Sequence, residues 1–473
     1  MKFALALLAV VAVASGCASS RGIAPKASLA DPAQLKAEAS LADAPVTAAW
    51  PELDWWKRFG DAQLDTLVEE ALAGSAGIRL ARARMDQALA ATQIARAPLG
   101  PQLGASADVT RQRFSANYIF PAPIGGSSYT TTQLALSGSY DLDFWGRNRA
   151  AYEAALGRSR AAQAEGFAAR LVLSSAVAGV YVQLARAFDQ LDLARRELSD
   201  REAVQRLTAD RVRVGLDSRL ELKQVETSIP AARVRVAQVQ EQIALARSQL
   251  AALLGKGPDR GLAIERPSLR AARVALPSRL PADLLGRRPD VVASRWRAEA
   301  AARDIDSAKA QFYPDINLSA LIGVQSVSLS KLLEAGSAIP SFGAAVRLPI
   351  LEGGRLRGTL VARDADYDLA VEQYNQTLSD ALREVVDQLT SLRSVEVQSG
   401  EVDTALAAAE EAYSLAVTRY KAGIGNLLQV FTAEMQVLEQ RTLRTELLSR
   451  SLTLSIGLIR ALGGGFDVQV AMQ

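Results

Sequence analysis

Histidine, the commonest general base and metal ligand near neutral pH, occurs nowhere in these 473 residues. A G-x-S-x-G nucleophile turn is absent as well. The stretch GKGPDRG (Gly255 to Gly261) has the glycines of a phosphate loop but no Lys-Ser/Thr ending. Acid–base chemistry would fall to the 51 Asp and Glu residues, which alternate with 54 Lys and Arg along helical patterns and read as solvated faces. No catalytic, cofactor or metal site is expected. The formal charge of +3 gives no electrostatic case for nucleic acid.

The one side chain with distinctive chemistry is Cys17, the only thiol. It ends MKFALALLAVVAVASGC, in which Lys2 precedes an apolar run from Phe3 to Val13 and small residues follow. That run is too short to span a bilayer as a mature helix and has the form of an export signal. Ser15-Gly16-Cys17 resembles a bacterial lipoprotein signal, although Ala14 stands where leucine is usual. The resemblance implies cleavage before Cys17 and a lipid on its sulfur, and Ala18 fits delivery to the outer membrane. An ordinary signal peptide with Cys17 discarded is the open alternative. A single lipid cluster tethers a protein without spanning the bilayer. No later stretch holds about 18 uninterrupted apolar residues.

From Gln133 to Phe144 the chain alternates: Leu134, Leu136, Tyr140, Leu142 and Phe144 against Gln133, Ser137, Ser139, Asp141 and Asp143. This predicts a strand with one apolar and one polar face. A helix-forming stretch begins directly after Gly146. The chain also repeats itself. FWGRNR (from Phe144) matches EGGRLR (from Glu352), RVRVGLDSRL (from Arg211) matches RYKAGIGNLL (from Arg419), and Gly255 matches Gly463. In every case the later number less the earlier gives 208. Such a constant offset marks a duplicated unit.

Each unit reads as helix, β-hairpin, long helix, tight turn, helix. The expected boundaries are a signal at 1–16, an N-terminal segment at 17–60, repeat 1 at 61–255, a linker at 256–290, repeat 2 at 291–463 and a tail at 464–473. The hairpins fall at 101–144 and 313–351, and the tight turns at 214–218 and 422–426. Asp61 to Ala97 is expected as one helix. Apolar residues seven apart (Val177, Leu184, Leu191, Leu198) and the three–four spacing from Leu222 to Leu253 indicate helices packed as coiled coils. Pro230 is expected to kink the second of these. About 67 residues from Arg147 to Arg213 would extend roughly 100 Å as helix.

Four strands cannot close a membrane barrel, which needs at least about eight. Several copies must each contribute four; two copies make eight strands and three make twelve, of which the larger leaves an open lumen. The fold expected is therefore α+β: an outer-membrane β-barrel continuing into a long α-helical barrel, from two internal repeats. A coiled-coil spacer lipoprotein is the competing reading, but it has no use for four alternating strands.

WPELDWWKRFGDAQLDTLVEEALAGS (Trp50 to Ser75), LPSRLPADLLGRRPDVVASRWRAEAA (Leu276 to Ala301) and the two glycine turns resemble the outer-membrane factor family, in its NodT-type lipoprotein branch. The resemblance implies a homotrimer with a twelve-stranded barrel in outer-membrane lipid and a periplasmic helical tunnel. It further implies a tripartite assembly with a periplasmic adaptor protein and an inner-membrane pump of the resistance-nodulation-division type. The adaptor would meet Val214, Gly215, Leu216 and Ser218 in one turn and Ala422, Gly423, Ile424 and Asn426 in the other. Tyr420, Leu428, Gln429 and Thr432 match the region where relatives constrict the tunnel. Gln429 and Thr432 stand where some relatives carry carboxylates, so an acidic ring is not expected there. Glu221 and Glu434 lie nearby, with their orientation open.

Overall fold

The computed structural model describes residues 19–36, 38–41, 50–270 and 286–471. Cys17 and residues 271–285 of the linker lie outside them. Seven helices carry the argument: α1 (Ala62–Gly74), α2 (Ala76–Arg96), α3 (Arg147–Arg213), α4 (Arg219–Leu253), α5 (Pro289–Ala310), α6 (Arg355–Lys421) and α7 (Leu427–Ala461). Four strands accompany them: β1 (Gln102–Arg113), β2 (Ser128–Asp141), β3 (Asp315–Ser326) and β4 (Ser341–Arg347). The duplication holds to the residue. Helices α3 and α6 are both 67 residues long, and 355 less 147 and 421 less 213 both give 208. The 35-residue α4 and α7 start and end at the same offset.

Residues fall into two compact units, one of 1–29, 84–162 and 293–375, the other of 30–83, 163–292 and 376–473. The first contains an antiparallel sheet in the order β1-β2-β3-β4. Its register places Leu136 beside Ala105 and Ile322, Tyr140 beside Leu318, and Ala320 beside Phe342. Since strand side chains alternate between faces, these residues share one apolar face across all four strands. Ser137, opposite Gly104 and Leu321, and Ser139, opposite Gln102 and Ser319, belong to the polar face. Leu103, Val109, Phe342 and Val346 are exposed on the apolar side, and among the described residues each outer strand has one neighbour only.

The passage from β2 to α3 needs almost no loop because Asp143 builds the helix start. Its carboxylate accepts from the backbone N–H groups of Asn148 and Arg149, both at 2.9 Å, satisfying two of the four donors that open a helix. Gly146 supplies the left-handed turn at φ 72°, and the Arg147 guanidinium bridges Asp141 and Asp315. At the second junction Gly354 repeats Gly146 with φ 85°, and Glu352 pairs with Arg355 at 2.5 Å. In the same unit, residues 23–28 lie along α6. Ile23 packs against the cluster of Ile305, Phe312, Leu356 and Leu360, and Asp368 accepts from the N–H groups of Lys26 and Ala27 at 2.9 Å each.

The second unit is built on coiled-coil faces. Val177, Leu184 and Leu191 of α3 and Val239, Ile243 and Leu250 of α4 are buried together with Trp55, Trp56, Phe59, Leu64 and Leu67. Asp61 pins this core: its carboxylate accepts from Gln63 N–H at 3.0 Å, Tyr181 O–H at 2.8 Å and Ser268 N–H at 2.7 Å. Arg288, buried, donates to Asp290 at 3.0 Å, Glu384 at 2.9 Å and the Ala461 carbonyl at 3.2 Å. One 18-residue window of α3 is apolar enough to cross a membrane by composition (mean hydropathy 1.5), and 44% of it is buried inside the protein.

One local expectation fails. The helix expected from Asp61 to Ala97 breaks at Ser75, which is extended (ψ 137°) and accepts from Gly77 N–H through its hydroxyl. The break lets backbone meet backbone: a Cβ on Gly74 would lie 2.9 Å from the Leu254 carbonyl, and one on Gly255 2.6 Å from that of Gly74. Pro230 sits inside α4, which runs unbroken from Arg219 to Leu253. Buried Val225, Ile229 and Ala232 fix the helix on both sides of the missing donor.

Candidate functional site

The turns between α3 and α4 and between α6 and α7 are built alike. Leu216 N–H reaches the Arg211 carbonyl at 2.8 Å, and Gly215 N–H reaches that of Val212 at 3.1 Å. Ile424 to Arg419 and Gly423 to Tyr420 repeat the pair, each at 3.1 Å. This is the six-to-one and five-to-two bonding of a helix that ends on a left-handed residue. Gly215 (φ 77°) and Gly423 (φ 76°) are those residues. The following helices are capped: the Ser218 hydroxyl accepts from Leu220 N–H at 3.2 Å while Glu221 reaches back to Ser218 N–H at 2.9 Å, and Asn426 accepts from Gln429 N–H at 3.0 Å. The Ser218 bond holds the Glu221 carboxyl below its ordinary range.

With the backbone satisfied internally, the turns present apolar side chains outward. Val214 is 66% exposed, Leu216 60%, Ile424 67% and Leu428 72%. Ala422, Gly423 and Asn426 are exposed too, and Ser218 also stands at the surface as a cap. Of the four residues expected to constrict a lumen, Leu428, Gln429 and Thr432 are exposed along one side of α7. Tyr420 is not exposed. Its ring is fully buried with Val204, Val225, Leu427 and Val430.

Tyr420 instead closes a clamp that sequence reasoning missed. Its hydroxyl donates to Asp217 at 2.5 Å and lies 3.0 Å from the Thr208 hydroxyl. Arg211 grips both oxygens of Asp217 at 2.8 and 3.0 Å, donates to the Tyr420 carbonyl at 2.7 Å and stacks its guanidinium 4.3 Å from the Tyr420 ring centre. Hydrogen bonding from Arg211, then from Tyr420, holds the Asp217 carboxyl below its ordinary range, against the effect of burial. Burial first, and Asp217 second, push the Tyr420 phenol up. The clamp joins the repeats and breaks their symmetry. At the 208 offset Tyr420 replaces Val212, and Gly425 replaces Asp217. The only sequence signal was an arginine and an aspartate six apart across a glycine turn.

Among the described residues no group of three or more carboxylate, cysteine or histidine side chains could hold a metal ion.

A family model described as outer membrane efflux protein matches residues 67–256 and 280–464, one segment for each repeat. The chain belongs to the outer membrane efflux protein family. Fusaric acid resistance protein FusA of Burkholderia cepacia is 40% identical over 366 residues, covering 76% of this chain and 69% of the relative. Multidrug resistance outer membrane protein MdtP of Escherichia coli K12 is 31% identical across 98% of this chain and 96% of its own. The crystal structure of VceC, an outer membrane protein of Vibrio cholerae, superposes with a TM-score of 0.84 at 39% identity over 88% of this chain and all of VceC. The outer-membrane channel OprN gives 0.84 at 25% identity over 94% of this chain and 97% of its own. The efflux protein is thus an outer-membrane channel that extends into the periplasm, with the helical-barrel and β-domain fold.

Proposed function

We propose that three copies of this efflux protein form a passive exit duct for small molecules, driven from an inner-membrane pump through a periplasmic adaptor. The observation that carries this reading is the register-locked apolar face of a four-stranded sheet whose outer strands each lack a second neighbour. In lipid, an unpaired backbone edge costs several kcal/mol per group, so a lone chain cannot hold that sheet in the membrane. Edge-to-edge closure of three copies gives twelve strands and polar residues such as Ser137, Ser139 and Asn317 facing a lumen.

In this reading the exposed apolar turns, Val214 to Ser218 and Ala422 to Asn426, are the adaptor-docking tips. Leu428, Gln429 and Thr432 line the narrowest part of the tunnel, and the clamp on Tyr420 holds their helix in place. No carboxylate stands among those three, so no acidic ring is built from them. The lipid on Cys17 adds a tether to a barrel that inserts by its own sheet. Catalysis has no part in it. FusA and MdtP carry the names of different cargoes, fusaric acid and multiple drugs, which supports a conduit that leaves cargo choice to its pump.

Purified protein in planar bilayers tests the reading. Stepwise conductance that rises when Asp217 is replaced supports a gated duct. A purified protein that stays monomeric and gives no steps, with or without the replacement, overturns it and leaves a structural lipoprotein.

A further inference from the structure

We propose that Glu434 is a proton-operated latch in the helical section next to the tip turns: neutral when the helices are tightly packed, ionised when they loosen. Glu434 lies on α7, two turns beyond the Asn426 cap, and is 4% exposed. Both of its carboxylate oxygens are buried without a hydrogen-bond partner. A buried ionised carboxylate in that condition carries a large desolvation cost, whereas a protonated one carries much less.

The surrounding charges do not compensate it. From α3 it faces Glu197, Asp200 and Arg201; from α6, Tyr413. Among the described residues Arg201 is the one cation within reach, at 3.9 Å, too far for a hydrogen bond. That guanidinium is already committed to Glu197, one helical turn away at 3.0 Å. Arg235 of α4 also approaches Glu197, at 3.8 Å, and Arg441 of α7 is held by Glu410 at 2.7 Å. Burial first, reinforced by Glu197 and Asp200 against the opposing pull of Arg201, pushes the Glu434 carboxyl up to about 7. Arg201 also lies over the ring of Phe431, 5.9 Å from its centre, and Phe431 packs against the cluster that holds Tyr420. Ionising Glu434 therefore sets it competing with Glu197 for the cation that braces the tip cluster.

The sign follows from linkage. A carboxyl whose value is raised in the packed state, against 4.5 when free, favours packing at low pH. That preference declines as pH rises from 4.5 to about 7 and is gone above it. Over that window the equilibrium between loosened and packed helices shifts about tenfold per pH unit.

The test is amide hydrogen exchange over residues 430–440 of the full-length protein in detergent, from pH 5 to 8.5, with each rate divided by its intrinsic rate. Protection in the wild type should fall about tenfold per unit up to about pH 7 and then level. In Glu434→Gln it should be independent of pH and exceed the wild-type value at pH 8. Parallel profiles for the two proteins would overturn the latch. Glu197→Gln is the second variant. By releasing Arg201 to Glu434 it should move the levelling point to lower pH, and an unmoved point counts against the latch even if Glu434→Gln does not assemble.

Discussion

Removing the Asp217 carboxylate should open the tip more than any other single change in the clamp. Asp217→Ala leaves the Arg211 guanidinium, whose side chain is 8% exposed, without its two charged bonds and with only the Tyr420 carbonyl and ring beside it. Stranding one member of a buried ion pair costs about 3–5 kcal/mol. Tyr420→Phe keeps the ring and the ion pair and loses only the hydroxyl contacts to Asp217 and Thr208, worth about 1–2 kcal/mol. At about 1.4 kcal/mol per decade, hydrogen-exchange protection of residues 204–220 and 416–430 should fall at least a hundredfold in Asp217→Ala and about tenfold in Tyr420→Phe. Because Asp217 titrates below its ordinary 3.8, the clamp's contribution is complete above that value and is lost only as pH falls through the depressed one. The wild type should therefore hold its protection there down to strongly acidic pH. Equal losses in the two variants, or a larger one in Tyr420→Phe, would show that the ion pair does not carry the clamp.

Leucine at Gly215 or Gly423 forces a Cβ into a left-handed turn at about 1–2 kcal/mol each. Nothing lies within 4 Å of the Gly215 Cβ position and only an arginine tip at 3.9 Å lies near that of Gly423, so trimers should form while drug tolerance in cells drops. Unchanged tolerance would remove the turns from the docking surface. Leu136→Arg, on the apolar face, should cost about 2–4 kcal/mol of barrel stability near the bilayer midplane, and Ser137→Arg, on the other face, far less. Urea unfolding in lipid vesicles distinguishes them. Cys17→Ser should abolish incorporation of labelled fatty acid yet leave the protein in the outer-membrane fraction, and a fully soluble product would refute the inserted sheet.

The sequence by itself determined the elements that depend on periodicity. Alternation in Gln133 to Phe144 marked a two-faced strand, the seven-residue spacing from Val177 marked a packed helix, and the 208-residue offset marked two copies of one unit. These are legible because side-chain direction follows from backbone geometry alone, with a period of 2.0 or 3.6. The left-handed glycines were legible for a similar reason, since Gly215 and Gly423 occupy a conformation that a Cβ penalises. Tertiary structure decided everything that required two distant segments to meet. Ser75 breaks a helix because Gly74 must touch Leu254 and Gly255 from the far end of the same repeat. Pro230 lies within a continuous helix whose neighbours on either side, Ile229 and Ala232 among them, are buried. Tyr420 belongs to a clamp because Arg211 and Asp217, about two hundred residues earlier, fold over it. Glu434 is buried beside Glu197, Asp200 and Arg201 of α3 and Tyr413 of α6, none of them adjacent in sequence. Desolvation and hydrogen bonding act over a few ångströms of space, and a linear pattern holds no record of which side chains will come that close.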